Sequence, residues 1–396
     1  MMVERTDFVV PRVRDLAASP TIAVAKEAQA LRKQGVDVVD FGPGEPDFTT
    51  PEHIRQAAAA SLAAGFTHYA PSRGVPELLQ AIAGKLEREN GLRYDPATEI
   101  VVTPGAKQAI VEAVLSAIEP GDEAILFDPG WGSYDAIVRL AGGEPVHVQL
   151  CDDFSVDLDR LHAALSPRTR VMIVGSPGNP TGYILRRQEW ESIAAICRER
   201  DLLLISDEIY ERISYDGAQP LSPATLPDMW ERTVTINGFS KAYAMTGWRL
   251  GYAAAPARFL SQMLKVHEHT VTSPTSFAQM GAIAALNGPQ EPIRDMVGEF
   301  ARRREIVVDA LNAVPGVECR VPDGAFYAFP NVSGTGLTGS ELAHRLLRAG
   351  VALTPGCGFG QTWDTHVRLS FATSEERIRT GLERMKSALA PLPATS

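Results

Sequence analysis

Short apolar runs alternate with longer stretches of helical periodicity through most of the chain. This is the pattern of a parallel sheet buried on both faces by the helices that connect its strands. Strands are expected at residues 99–103, 123–127, 171–175, 202–206, 233–236 and 250–254, with a helix over 106–118 between the first two. Upstream, Thr50, followed by Pro51 in a first turn and by Gly65 past the last, predicts another helix with Thr50 as its cap. Beyond residue 288 the rhythm changes. One long helix is expected over 289–311, then shorter strands at 325–329, 351–353 and 366–370, and Thr373 with Glu376 three positions on forms a capping box for a last helix. The expected class is α/β: a large domain over 46–287 with a mostly parallel sheet covered by helices, and a smaller, discontinuous α+β domain from 1–45 and 288–396. No internal repeat interrupts this layout, and the tail 390–396 reads as frayed.

Composition narrows the function classes. A chain of 396 residues, 45% hydrophobic and 22% charged, is long enough for two cores. No run approaches the ~20 apolar residues of a membrane span. Glu4, Arg5 and Asp7 break up the start, so no signal-peptide core is expected and cytoplasmic residence follows. Cys151, Cys197, Cys319 and Cys357 are scattered without metal-ligand spacing, which favours reduced packing thiols and no metal. The net charge of −10 argues against nucleic acid as a partner. It also means that any anion must be held by a few placed cations, for which Lys107, Lys241, Arg249 and Arg368 are the candidates.

The stretch from Asn237 to Tyr252 carries the most chemistry. Lys241 stands among small and aromatic residues with Arg249 eight positions on. A lysine in apolar surroundings beside a second cation has a lowered pKa, so more of it is the free amine that attacks an aldehyde to form a Schiff base. A guanidinium fork suits a phosphate. Thr103-Pro104-Gly105-Ala106-Lys107 runs from strand to helix, so the amides of Gly105, Ala106 and Lys107 are expected to converge, unpaired, on an anion with the helix dipole behind them.

Seven motifs fall in one order: Gly44-Glu45-Pro46-Asp47-Phe48, Tyr69-Ala70-Pro71-Ser72-Arg73-Gly74, Thr103 to Gln108, Ser176-Pro177-Gly178-Asn179-Pro180-Thr181-Gly182, Ser206-Asp207-Glu208-Ile209-Tyr210, the lysine block, and Val367-Arg368-Leu369-Ser370-Phe371. On these the chain resembles the class I pyridoxal-phosphate-dependent aminotransferases, the aspartate aminotransferase-like group of fold type I, from about residue 19 to about 389. The resemblance implies pyridoxal 5′-phosphate as cofactor and Lys241 as the Schiff-base lysine and proton-moving base. It implies Asp207 opposite the ring nitrogen, Asn179 and Tyr210 at the phenolic oxygen, and Trp131 stacked on the ring. Gly105, Ala106, Lys107, Ser240 and Arg249 would hold the phosphate. Arg368 would grip the substrate α-carboxylate, with Gly44 and Asn179 beside it. Tyr69 would reach the phosphate of a neighbouring subunit, which implies a homodimer with shared sites. One departure stands out: relatives often carry Ser or Thr three positions before the lysine, and here Gly238 leaves the phosphate cup one hydroxyl short.

The same resemblance implies that Lys107, Ser19 and Thr21 meet a distal carboxylate, so an acidic amino acid is the expected donor and 2-oxoglutarate the acceptor, in a ping-pong reaction. Aromatic or neutral amino acids, or elimination, ring closure or oxidation on the same scaffold, are the alternatives. A transcription regulator on this fold would place a winged-helix domain ahead of the match, for which the start of the chain leaves no room. A nicotinamide enzyme is disfavoured because Gly356-Cys357-Gly358-Phe359-Gly360 departs from the dinucleotide fingerprint and lies far from any first βαβ unit.

Overall fold

The computed structural model describes residues 8–16 and 20–389. Its centre is a seven-stranded sheet built from β2 (Ile100–Thr103), β3 (Glu123–Asp128), β4 (Glu144–Gln149), β5 (Thr169–Gly175), β6 (Leu203–Asp207), β7 (Thr233–Gly238) and β8 (Gly251–Ala254), in the order β2-β8-β7-β6-β5-β3-β4. All pairings are parallel except the two that β8 makes with β2 and β7. β7 and β8, in the interior of the sheet, and β2 at one edge are buried at every position. Ile205, Val234, Ile236 and Ala253 bury against Ala109, Ile110 and Ala113 of the helix Ala106–Ala117. Each large aliphatic side chain so buried stabilises the layer by ~1.5–3 kcal/mol, which fixes that helix against the sheet.

β4 was not foreseen. Its sequence, Glu-Pro-Val-His-Val-Gln, is half polar and carries Pro145, and only Val148 of it is buried at this edge of the sheet. Proline is tolerated at such an edge, where one row of amides needs no partner.

Two smaller sheets complete the molecule. β1 (Val39–Asp40) pairs in parallel with β10 (Val351–Ala352), and β12 (Val367–Ser370) lies between β9 (Tyr327–Ala328) and β11 (Thr354–Pro355), antiparallel to both. They pack on the helices Glu291–Asn312 and Glu375–Leu389 through a core that includes Val39, Phe300, Phe326, Leu369, Phe371 and Ile378.

Two caps differ from expectation. The helix Glu52–Ala63 has Pro51 at its N-cap, while the Thr50 hydroxyl donates to the Ala244 carbonyl at 2.5 Å and accepts from Trp248 Nε1 at 3.0 Å. Thr50 therefore ties this helix to the lysine block rather than capping it. At the last helix Ser374, not Thr373, is the cap: its Oγ accepts from the Arg377 amide at 3.3 Å. Gly65 does follow the earlier helix, with φ +81°. Among the described residues no helix is long and apolar enough to cross a membrane.

Candidate active site

The C-terminal ends of the parallel strands, where open α/β sheets gather their ligand residues, open into a cavity of about 350 Å³. Gly44, Ala106, Lys107, Trp131, Asn179, Asp207, Tyr210, Ser240, Lys241, Arg249 and Arg368 all line it. Residues up to 324 positions apart, from Gly44 to Arg368, are thus brought together. Gly105 stands just behind, with φ +87°; a Cβ there would come within 2.6 Å of Arg249 Nη2. Only glycine allows both that backbone and that approach. Tyr69 is not among the lining residues and is 86% exposed. Ser19 lies outside the described residues, and Thr21 falls in the helix Pro20–Lys33 with its side chain outside them.

Lys241 follows β7 and donates from Nζ to the Gly44 carbonyl. Burial lowers its pKa to about 8; Glu45 opposes this, and the Arg368 and Arg249 charges push further down. Asp207, the last residue of β6, is buried and accepts from the Tyr134 hydroxyl at 2.8 Å and the Ile209 amide at 3.2 Å. Burial raises its pKa, and both hydrogen bonds work against that rise. A cation facing it would favour the ionised form.

Arg368 projects from β12 and is buried. It donates to Asn179 Oδ1 at 3.0 Å and to the Gly42 carbonyl at 2.6 Å, and its Nε has no partner. Burial lowers its pKa from the ordinary guanidinium value, though Tyr327 and Tyr210 offset this. A buried guanidinium with an unsatisfied donor is what an anion would complete.

At the helix Ala106–Ala117 one expectation fails: the Gly105 amide is already used, donating to the Thr103 carbonyl at 2.7 Å. The amides of Ala106 and Lys107 carry no backbone partner among the described residues and remain available. Arg249, in a left-handed conformation with φ 54°, donates to the Thr246 and Pro104 carbonyls at 3.1 and 3.2 Å, which places its guanidinium beside that helix start. Gly238, the missing hydroxyl position, pairs with Gly251 in the β7–β8 ladder. A Cβ at Gly238 would come within 2.9 Å of Gly251 Cα. Tight packing of two strands excludes a side chain there.

Lys107 Nζ lies 4.8 Å above the Trp131 ring, and Trp131 packs edge-on against Tyr134 at 5.3 Å. Trp131 thus has packing partners, although the two glycines beside it gave no hint of them. Burial, aided by Arg249, lowers the Lys107 pKa. The segment from 129 to 134 is held from behind by His147 of β4. Its Nδ1 and Nε2 are each 2.9 Å from a carboxylate, Asp128 Oδ1 and Asp135 Oδ2. Both nitrogens must be protonated to satisfy both acids, and the pKa is raised to about 9 by those hydrogen bonds.

Tyr134, Ser133, Thr246 and Tyr327 also line the cavity and were missed. Tyr327 lies in the run Ala325-Phe326-Tyr327-Ala328-Phe329, whose apolar and aromatic character marks a strand but gives no sign that a polar end faces a site.

The residues fit pyridoxal phosphate. A carboxylate, an amide and phenol pair, a lysine with a lowered pKa, and two free amides beside an arginine match its ring nitrogen, phenolic oxygen, aldehyde and phosphate in turn.

The model of the aminotransferase class I and II family matches residues 36–385. This chain belongs to that family. It is 43% identical over 383 residues to the aspartate aminotransferase of Geobacillus stearothermophilus, covering 94% of this chain and 97% of that one. It is also 43% identical to the aspartate/prephenate aminotransferase of Thermus thermophilus, covering 96% and 98% of the two chains. Among solved structures, the Thermus thermophilus aspartate aminotransferase with maleate superimposes with a TM-score of 0.91 at 42% identity, over 96% of this chain and 100% of that one. The protein is therefore an aminotransferase of fold type I, and pyridoxal 5′-phosphate is its cofactor.

Proposed function

We propose that this aminotransferase moves the amino group of an acidic L-amino acid, aspartate foremost, to 2-oxoglutarate in two half-reactions of a ping-pong cycle. The observation that carries the reading is that, besides Lys241 and Arg249, which would serve the cofactor, two more cations line the same cavity, Arg368 with its unpartnered Nε and Lys107 over Trp131. Two cations suit a substrate with two carboxylates.

When bound, pyridoxal phosphate supplies an aldehyde carbon for the amino group and a ring that withdraws electrons from it. The chain does the rest. Asp207, held by Tyr134 and the Ile209 amide, would hold the ring nitrogen and favour its protonated form. Asn179 and Tyr210 would bind the phenolic oxygen. The Ala106 and Lys107 amides, Ser240 and Arg249 would hold the phosphate, with Gly105 admitting the guanidinium. Trp131 would cover the ring. Arg368 would take the substrate α-carboxylate and so orient the amino acid for loss of its Cα proton. Lys241 Nζ, with its pKa lowered by burial, would be the base that takes up the Cα proton and returns it.

The proposed division of the chain is a large domain over 46–287 and a small one from 1–45 and 288–396. Tyr69, standing out from its own protomer, suits a residue that serves a second subunit, so a homodimer with shared sites is part of the proposal. The four cysteines are free, as suits a reducing cytoplasm. The relatives' names add prephenate as a second acceptor to try.

Steady-state rates with aspartate, phenylalanine and alanine test the donor. Lys107→Ala should cost aspartate roughly 10- to 100-fold in kcat/KM, the worth of a charge-assisted hydrogen bond, and leave alanine within about twofold. Unchanged aspartate turnover would remove the acidic assignment. The acceptor is the keto acid that restores the visible band of protein bleached by the donor.

A further inference from the structure

Tyr327 is 1% exposed, yet its side chain lines the cavity and touches three parts of the site. Its hydroxyl lies 2.8 Å from the Tyr210 hydroxyl. Its ring lies under the Arg368 guanidinium, 4.6 Å from centroid to carbon. A Cβ at Gly44, whose carbonyl accepts from Lys241, would come within 2.8 Å of the same hydroxyl. The register explains the convergence: β9 pairs Tyr327 with Ser370 of the strand that carries Arg368.

Two phenols in one hydrogen bond share one proton and leave the other free. If Tyr210 donated to Tyr327, its own proton would be spent inside the protein. If Tyr327 donates, Tyr210 keeps a proton to aim into the cavity, and a phenol that already accepts a hydrogen bond is the stronger donor. We propose that Tyr327 is a positioning residue with two separable actions: its hydroxyl donates to Tyr210, turning the Tyr210 proton toward the cofactor's phenolic oxygen, and its ring supports Arg368 for the substrate carboxylate. This rests on the roles proposed above for Tyr210 and Arg368.

The two actions separate by substitution in the cofactor-loaded protein. Tyr327→Phe keeps the ring and removes the hydroxyl; Tyr327→Leu removes both. One readout is the pH midpoint at which the visible absorption changes. A donor to the phenolic oxygen favours its ionised form and lowers that midpoint. The other is the Kd of maleate, a dicarboxylate with no amine to transfer. Tyr327→Phe should raise the midpoint by about 0.3 unit or more, in the direction of Tyr210→Phe, and leave maleate affinity within about twofold. Tyr327→Leu should raise the midpoint too and weaken maleate about fivefold or more.

Tyr210→Phe and Arg368→Lys serve as references. If neither changes its own readout, the site roles fail and this inference with them. If both do, but Tyr327→Phe leaves the midpoint in place or Tyr327→Leu leaves maleate affinity within twofold, the inference alone is overturned. Tyr327→Phe preserves the packing, so its midpoint stays decisive even if the leucine variant misfolds.

Discussion

Lys241 in the protein freed of cofactor is expected to titrate near pH 8, because burial beside two arginines makes its ammonium form costly. An ordinary lysine, at 10.5, has about one amine per thousand side chains at pH 7.5. With a pKa of about 8 the fraction at that pH is roughly one quarter. The gain is on the order of two hundredfold in reactive nucleophile, available before any cofactor arrives. Trace acetylation across pH 6.5–10.5, read as the extent of label on the Lys241 peptide, gives the midpoint. Glu45→Gln should move it down, since that carboxylate favours the ammonium, and Arg368→Met should move it up by removing a repelling charge. A wild-type midpoint above about 9.5 would refute the claim that burial activates this amine, as would the two variants shifting in the opposite senses.

Three further outcomes are expected. Gly238→Ser should destabilise the protein by ~1–3 kcal/mol through overpacking against Gly251, Leu250 and Ile209. That corresponds to a melting temperature roughly 1–4 °C lower for a chain this long, and titration of the apoprotein should show no gain in cofactor affinity. His147 has a folded pKa near 9 against 6.5 for the free side chain, so its stabilisation is complete below pH 6.5 and fades as pH rises through 9; His147→Gln should flatten the fall in melting temperature over that interval, and an unaltered pH profile would deny the clamp. Mixing the inactive variants Tyr69→Ala and Lys241→Ala under subunit exchange should restore about a quarter of wild-type activity, because half the dimers are hybrids and each hybrid has one intact site; no recovery would place Tyr69 in its own protomer's chemistry or outside the site.

Much of the sheet is legible because its central strands are continuous apolar runs, and much of the site because its residues follow strand ends. What escaped depended on position in space. The strand Glu144–Gln149 resembles a loop until its place at the sheet's edge is known. Thr50 and Thr373 have the chemistry of caps, but Trp248 and Ala244 claim the first and Ser374, one residue on, takes the place of the second. Tyr134 and Tyr327 draw their meaning from Asp207 and Tyr210, 73 and 117 positions away. Gly238 could be recognised as a departure, but its reason, contact with Gly251 on the neighbouring strand, needs the ladder.

The parallel pair Val39↔Val351 and Asp40↔Ala352 joins stretches 312 residues apart, from 39 to 351. At ribosomal rates of ~5–20 residues per second, the earlier stretch waits roughly 15–60 s for its mate. Throughout that interval Val39 and Phe41, buried at the end, lack this mate, and for its last third, once Ala254 is made, the seven-stranded sheet has all its parts. The segment bearing Gly44 can close over the lysine only when translation is nearly finished. A product truncated before residue 351 would therefore have its large sheet and Lys241 but neither Arg368 nor the cover that lowers the lysine's pKa, which makes the last tenth of the message the part that turns a folded scaffold into a working catalyst.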